Sequence, residues 1–213
     1  MGLLAAAGLA LACAPAPQRT FFIGIQAPLG ARDQAAARRL GVRIVSAPPP
    51  GAALESASSG PGGQMASWSR LRYLGALAAA RGKAGIIFVL PRLAAGREFA
   101  DYPEEWQALA RAVRELKELQ PRIEAGTEEP SPLTAPGVEG RAWRYASRRY
   151  MVLVNASDAA VLVDEKLLSG WRALFETRAD PRELLRACPG GGCLAPGRAL
   201  WLEGRPAWPG RKS

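Results

Sequence analysis

The hydrophobic pattern of this chain changes once along its length, and that change limits the folds available to it. Up to about residue 120, short apolar runs alternate with segments whose leucines and alanines recur every three or four residues. Beyond residue 137, apolar residues recur at every second position between turn signals. The intervening stretch 121–137 is rich in Pro, Gly and Glu and predicts a linker. We therefore expect two domains of different class, an α/β domain over 21–120 and an all-β domain over 138–208.

The first domain is predicted to contain three β-α units. Three such units in a row imply parallel strands joined by right-handed crossovers. Residues 51–63, GAALESASSGPGG, are predicted to be a flexible loop. The predicted strands are 21–27, 42–46 and 85–90, and the predicted helices are 33–40, 64–81 and 103–119.

The second domain is predicted to be a small antiparallel β-sandwich. Three of its tryptophans, Trp143, Trp171 and Trp201, fall in strands and are expected to pack in its core. The predicted strands are 141–145, 150–155, 160–164, 171–176 and 199–203.

Cys13 closes an apolar N-terminal run that is typical of a bacterial lipoprotein signal. Residues 3–12 are all Leu, Ala or Gly, which suits a signal core but is far short of the ~20 residues that a membrane-spanning helix needs. Residues 1–13 are therefore predicted to be a lipoprotein-type signal, with Cys13 as the lipidated residue and 14–20 as a tether. This predicts a lipid anchor in the bacterial cell envelope. An ordinary signal peptide cleaved near Ala12, giving a secreted protein, and a buried Ala/Leu helix are the alternatives.

The two remaining cysteines, Cys188 and Cys193, are separated only by Pro-Gly-Gly-Gly. A turn of this composition can bring the two Cα atoms within the ~4.4–6.8 Å that a disulfide requires. We expect a structural disulfide, which would accord with a location outside the cytoplasm. A reduced pair in a cytoplasmic protein is the alternative.

The composition excludes several kinds of chemistry. The chain has no histidine, so Ser-His-Asp catalysis, Cys-His catalysis and His-ligated metal sites are excluded. No cofactor and no metal are expected. The formal net charge is +9, but the arginines are scattered rather than interleaved with aromatic residues, which favours a solvated basic surface over a nucleic-acid site.

The stretch RLRYLGALAAARGKAGIIFV at 70–89 is similar to the end of (β/α)8-barrel glycoside hydrolases, where a helix leads into the eighth strand. The segment from Glu104 to Pro121 resembles their last barrel helix, and YMVLVN at 150–155 resembles a strand of their accessory β-sandwich. The resemblance covers roughly residues 60–210. It implies that the strands at 21–27, 42–46 and 85–90 are the sixth, seventh and eighth of a barrel.

The resemblance also implies what the chain does not supply. A complete barrel needs ~250 residues, and the first five strands, with the general acid that follows the fourth, have no counterpart here. The family's nucleophile or base follows the seventh strand, where this sequence offers Glu55. Glu55 and Asp101 are the weak catalytic candidates. Because glycoside hydrolysis needs two carboxyl groups at a fixed separation, the sequence favours a protein without catalytic residues.

Aromatic residues are the remaining functional candidates. Trp68, Tyr102 and Trp106 follow the predicted carboxyl ends of strands, where barrel-type sites form. Their rings suit sugar stacking, and Arg70, Arg97 or Asp101 nearby could bind hydroxyl groups. Packing of Trp68 and Trp106 against the sheet is the alternative.

The favoured function is a non-catalytic envelope lipoprotein that binds glycan or an envelope protein. A carbohydrate-active enzyme, or one piece of a split one, is the alternative; a basic polyanion-binding module ranks third.

Overall fold

Four parallel strands form the N-terminal sheet of the computed structural model, which describes residues 20–27, 29–57, 66–91, 97–131, 135–176 and 180–204. Cys13, the predicted signal and nearly all of the predicted tether lie outside these residues. The strands are β1 (Phe22–Gln26), β2 (Arg43–Ile44), β3 (Ala53–Ser56) and β4 (Gly85–Val89), and the helices are α1 (Ala31–Arg39), α2 (Trp68–Ala80) and α3 (Pro103–Ala125).

The order of the strands in this sheet is β2-β1-β4-β3. It differs from the order that the barrel resemblance implies, in which the second predicted strand lies between the first and the third. Strand β4 pairs directly with β1, which leaves β2 at one edge of the sheet and β3 at the other. Residues 45–52, which join β2 to β3, contain no helix. The chain therefore passes from one edge of the sheet to the other.

Glu55 lies in β3, which sequence analysis missed by predicting a loop over 51–63. Every residue of β3 pairs with one of β4, from Ala53 opposite Ile86 to Ser56 opposite Val89. Ala-Leu-Glu-Ser has no marked strand pattern of its own, so its conformation is decided by this pairing with a buried neighbour.

The three helices pack with alternate residues of the parallel strands. Ile25 and Phe88 are fully buried in one hydrophobic cluster that includes residues of all three helices. Helices α2 and α3 come close together at Gly75, where a Cβ atom would lie 2.7 Å from the Leu116 side chain. Glycine is required there by this close approach rather than by its backbone freedom.

Helix α3 continues beyond its predicted end at Leu119, through Pro121, to Ala125. Proline removes a helical hydrogen bond, but Ile123 in the following turn is buried in the same cluster as Trp143 of the antiparallel sheet. This packing stabilises the last turn, and a short strand over residues 127–129 follows almost at once. The stretch expected to be a linker is thus mostly regular structure in its described part.

Two antiparallel sheets follow. The larger has the strand order β5-β6-β7-β12-β9, and the smaller has the order β10-β11-β8. Each of the five predicted strands has a counterpart here, while β5, β10 and β11 were not predicted. The bounds are β5 (Thr127–Glu129), β6 (Val138–Tyr145), β7 (Arg148–Asn155), β8 (Val161–Val163), β9 (Trp171–Ala173), β10 (Arg186–Cys188), β11 (Gly191–Leu194) and β12 (Ala199–Gly204).

The larger antiparallel sheet has a hydrophobic cluster on each face. Trp143 and Trp201, each only 2% exposed, lie in the cluster shared with the helices and the parallel sheet. Met151 and Leu202 point to the opposite face, where they meet Val163 of the smaller sheet. The two expected domains therefore share one core rather than lying on either side of a linker.

The predicted disulfide is confirmed. Cys188 and Cys193 are bonded, with their Cα atoms 6.0 Å apart, across the hairpin that strands β10 and β11 form. The turn between them has Gly190 at a φ of 96°, a conformation that favours glycine. The disulfide closes this hairpin at the edge of the smaller sheet.

Candidate functional site

The aromatic candidates lie on two sides of helix α3 instead of forming one platform. Trp106, in the first turns of α3, lines a cleft toward α1. Trp68, the first residue of α2, instead contacts Arg111 on another side of α3. Tyr102 precedes the first residue of α3 and is half-buried. The aromatic candidates thus lie in two separate places, one at Trp106 and one at Trp68.

The cleft at Trp106 has a volume of about 430 Å³, within the range of about 300–1,000 Å³ typical of small-ligand sites. Two alanines of α1 leave space beside the half-buried indole, and arginine and glutamine side chains lie at the rim of the cleft. This combines an aromatic surface with hydrogen-bond donors. The cleft is lined by Arg32, Ala35, Ala36, Arg39, Pro103, Trp106 and Gln107.

Arg32, at the rim of this cleft, is held by two carboxylates. Its guanidinium donates to Glu98 Oε2 at 3.1 Å and to Asp101 Oδ1 at 3.0 Å. Asp101 also accepts from the backbone N–H of Glu98 at 3.0 Å. The N–H of Glu98 and the guanidinium of Arg32 hold the pKa of Asp101 below its ordinary value. Asp101 therefore acts as an ionised carboxylate that caps a turn and orients Arg32.

The structure does not bring the two weak catalytic candidates together. Glu55 lies on the edge strand β3, whereas Asp101 is bound to Arg32 of α1, the helix that packs by the opposite edge strand β2. Two carboxyl groups in a glycosidase must flank one bond, at most about 9.5 Å apart. Nothing in this arrangement makes Glu55 and Asp101 such a pair.

Trp68 and Arg70 are already engaged with other side chains. The guanidinium carbon of Arg111 lies 3.6 Å from the centroid of the Trp68 ring, and that of Arg72 lies 5.4 Å away. Arg70 lies over the ring of Tyr73, at 4.9 Å from its centroid. Cations over indole and phenol faces are attracted by the ring quadrupole. A sugar would have to displace Arg111 to stack on that face of Trp68.

A buried ionic cluster beside Trp68 was missed by sequence analysis. Arg72 is 4% exposed, and its guanidinium contacts Glu115 of α3 at 3.2 Å and also Glu176, which follows β9. Burial raises the pKa of Glu115, against the effect of Arg72 and Arg111. The only signal in the sequence is one arginine within the apolar run 71–79 of α2, and its partners are distant in the chain.

Glu203 of β12 forms a second cluster, on the larger antiparallel sheet. It is 6% exposed and accepts hydrogen bonds from Arg148 at 2.8 Å, from Arg172 at 2.5 Å and from the Tyr150 hydroxyl at 3.1 Å. Burial acts to raise the pKa of Glu203, but these three donors outweigh it and lower the pKa below its ordinary value. The carboxylate is held ionised as a structural group.

Glu203→Gln is expected to destabilise the protein by about 1.5–3 kcal/mol near neutral pH, because the hydrogen bonds lose their charged acceptor. A carboxyl whose folded-state pKa is depressed stabilises the fold above its ordinary pKa of 4.5, and that contribution is lost as the pH falls below it. The difference in unfolding free energy between wild type and variant should therefore shrink below that pH. Urea unfolding at several pH values measures it. Glu118→Gln, at an exposed carboxylate, is the control and should show no such convergence; parallel pH profiles of wild type and Glu203→Gln would contradict the prediction.

Neither a metal cluster nor a membrane span emerges from the described part of the chain. Within it, no three Asp, Glu or Cys side chains lie together as metal ligands would. The helices described there are also too short or too polar to cross a bilayer.

Comparisons with known proteins find likeness in structure alone. No protein-family model and no curated protein matches this chain. The α-amylase from Geobacillus thermoleovorans, in a complex with acarbose, is 16% identical, with a TM-score of 0.41 over 66% of this chain and 34% of that one. AmyP in complex with maltose is 15% identical, with a TM-score of 0.42 over 81% of this chain and 43% of that one. Eubacterium rectale Amy13B is 11% identical, with a TM-score of 0.42 over 72% of this chain and 39% of that one. The chain spans less than half the length of each of these proteins.

Proposed function

We propose that this chain is a non-catalytic lipoprotein of the bacterial cell envelope that binds glycan in the cleft between α1 and α3. The observation that carries the proposal is the cleft itself, with the Trp106 indole beside two alanines and a rim of Arg32, Arg39 and Gln107. Flat apolar faces of sugars stack on such rings, and guanidinium and amide groups bind their hydroxyls. Arg32 is already held in place by Glu98 and Asp101, so ordering it on binding costs little.

The non-catalytic part of the proposal is supported by the state of four acidic residues. Glu115 and Glu176 are the carboxylates that share one arginine, and both are almost completely buried. Asp101 and Glu203 are likewise bound by arginines. Carboxylates fixed in this way serve the fold, because an acid or base in glycoside hydrolysis must reach the scissile bond.

The cleft proposal is tested by oligosaccharide binding with Trp106→Ala. We expect binding to weaken by about tenfold, since the stacking surface is lost. Calorimetric titration with maltose and with fragments of cell-wall glycan measures the effect. Trp68→Ala is the matched control, because Arg111 covers that indole, and it should bind like the wild type. Equal losses in the two variants would reject the cleft, and turnover that disappears in Glu55→Gln or Asp101→Asn would reject the non-catalytic assignment.

The envelope location is tested at Cys13. Its place after the apolar run predicts that it becomes the lipidated N-terminus, and the Cys188–Cys193 disulfide accords with an oxidising compartment. In bacteria grown with a labelled fatty acid, the wild-type protein should carry the label and Cys13→Ser should not. Equal labelling of the two proteins would contradict lipidation at this cysteine.

A further inference from the structure

Residues 174–176, which we call the strap, follow strand β9 and contain a strained backbone. Phe175 has a φ of 62°, in the left-handed region that bulky residues rarely adopt. The strap is held on both sides of Phe175 by one guanidinium: Arg72 donates to the carbonyl of Leu174 at 3.2 Å and to Glu176 Oε1. Arg198 also donates to Glu176 Oε1, at 3.4 Å. The backbone N–H of Leu174 also donates to the carbonyl of Trp201 at 2.8 Å, and Leu174 and Phe175 pack against the core. Together these contacts offset the strain.

Arg72 is positioned by groups that do not belong to the strap. Its Nε atom lies 3.2 Å from Glu115 Oε2 on α3, and its guanidinium lies beside the Trp68 ring on its own helix. If the strap moved, the ion pair with Glu115 and the Trp68 ring would still contact Arg72, whereas its hydrogen bonds to Leu174 and Glu176 would be lost. A guanidinium with free donors is suited to a carboxylate, which it can bind with two parallel hydrogen bonds.

The Glu176 carboxylate lies between two guanidiniums. Arg72, which is 4% exposed, and Arg198, which is 35% exposed, both contact Glu176. Glu115 contacts Arg72 and the exposed Arg111. Without Glu176, Arg198 would lose the carboxylate that it contacts and Arg72 would lose one of two, and removing one partner of a buried ion pair is strongly unfavourable. The Nε atom of Arg198 is also buried and has no hydrogen-bond partner among the described residues, so a further donor is present for a bound carboxylate.

We propose that Arg72 and Arg198 form a carboxylate-binding site, which the chain's own Glu176 fills in this structure. An external carboxylate, such as that of an acidic sugar, would exchange with Glu176. This site is separate from the Trp106 cleft, because it lies on the α2 side of α3. It is independent of the proposed glycan binding there.

The test removes the internal carboxylate and supplies one from solution. In Glu176→Ala, acetate and glucuronate should raise the melting temperature in a concentration-dependent way, while chloride at the same ionic strength should not. Because Glu176 competes for the site in the wild type, the wild type should respond to the same carboxylates only at much higher concentrations. In Glu176→Ala/Arg198→Ala, acetate should bind at least about tenfold more weakly, since one charged hydrogen-bond partner is gone.

Each outcome of this experiment either supports or contradicts the proposed carboxylate site. A response to both carboxylates supports a general carboxylate site, and a response to glucuronate alone supports an acidic sugar as the ligand. If Glu176→Ala does not fold in plain buffer, its refolding yield in acetate is compared with its yield in chloride. A higher yield in acetate supports the carboxylate site. Equal effects of acetate and chloride on Glu176→Ala, or undiminished rescue in the double variant, would overturn the assignment.

Discussion

Trp143→Ala is expected to lower the free energy of unfolding by about 3–5 kcal/mol, the range measured for truncating a buried aromatic residue. Trp143 is 2% exposed in β6 and lies in the cluster that also holds Phe21 and Ile123. A domain of ordinary stability has only about 5–15 kcal/mol in total. Because the cluster is shared, the parallel sheet should unfold in the same transition as the antiparallel sheets. Urea unfolding followed by far-UV circular dichroism measures the loss.

Amide exchange provides the control for this shared core. Trp171→Ala, at a half-buried tryptophan of the edge strand β9, should cost only about 1 kcal/mol. Amides of β1 and β4 should lose protection together with those of β7. If β1 and β4 stay protected in Trp143→Ala after β7 has opened, the chain has two independent cores, as the sequence pattern suggested.

Arg72→Met is expected to destabilise the protein by about 3–5 kcal/mol, because it leaves Glu115 and Glu176 buried without their shared partner. Arg70→Met is the matched control two residues earlier on the same helix. Arg70 is exposed, and its replacement should change stability by no more than about 0.5 kcal/mol. Chemical unfolding of both variants gives the comparison.

A second variant distinguishes the loss of an ion pair from poor packing of methionine. When Glu115 and Glu176 are both replaced by leucine in the Arg72→Met background, much of the lost stability should return, since a buried ionic cluster can be exchanged for apolar groups. Equal stability of Arg72→Met and Arg70→Met would show that the cluster contributes nothing. No recovery in the triple variant would show that its role is not electrostatic.

Several local elements could be predicted because neighbouring residues alone specify them. Strand β4 is a continuous apolar run that ends at turn residues, and α3 begins at Pro103 with its apolar positions at helical spacing. The hairpin disulfide followed from the short Pro-Gly spacing between Cys188 and Cys193. In each case the information lies within a few residues of sequence.

The candidate site shows the limit of such reasoning. Trp68 begins its helix, whereas Trp106 is in register with the apolar stripe of α3, so the sequence favours packing for Trp106 more than for Trp68. Only the packing of α3 between α1 and α2 separates them, placing Arg111 over one indole and leaving a cleft beside the other. Glu55 was assigned to a loop because the pairing of β3 with β4 is a long-range contact.

The sequence by itself determined the types of most helices and strands, the parallel and antiparallel classes of the sheets and the disulfide, because periodicity and turn chemistry act locally. Tertiary structure decided the order β2-β1-β4-β3, the continuation of α3 through Pro121 and the single core shared through Trp143. It also decided that Arg72 meets Glu115 and Glu176. These features depend on which surfaces are buried together, and the free energy of that burial belongs to residues far apart in the chain.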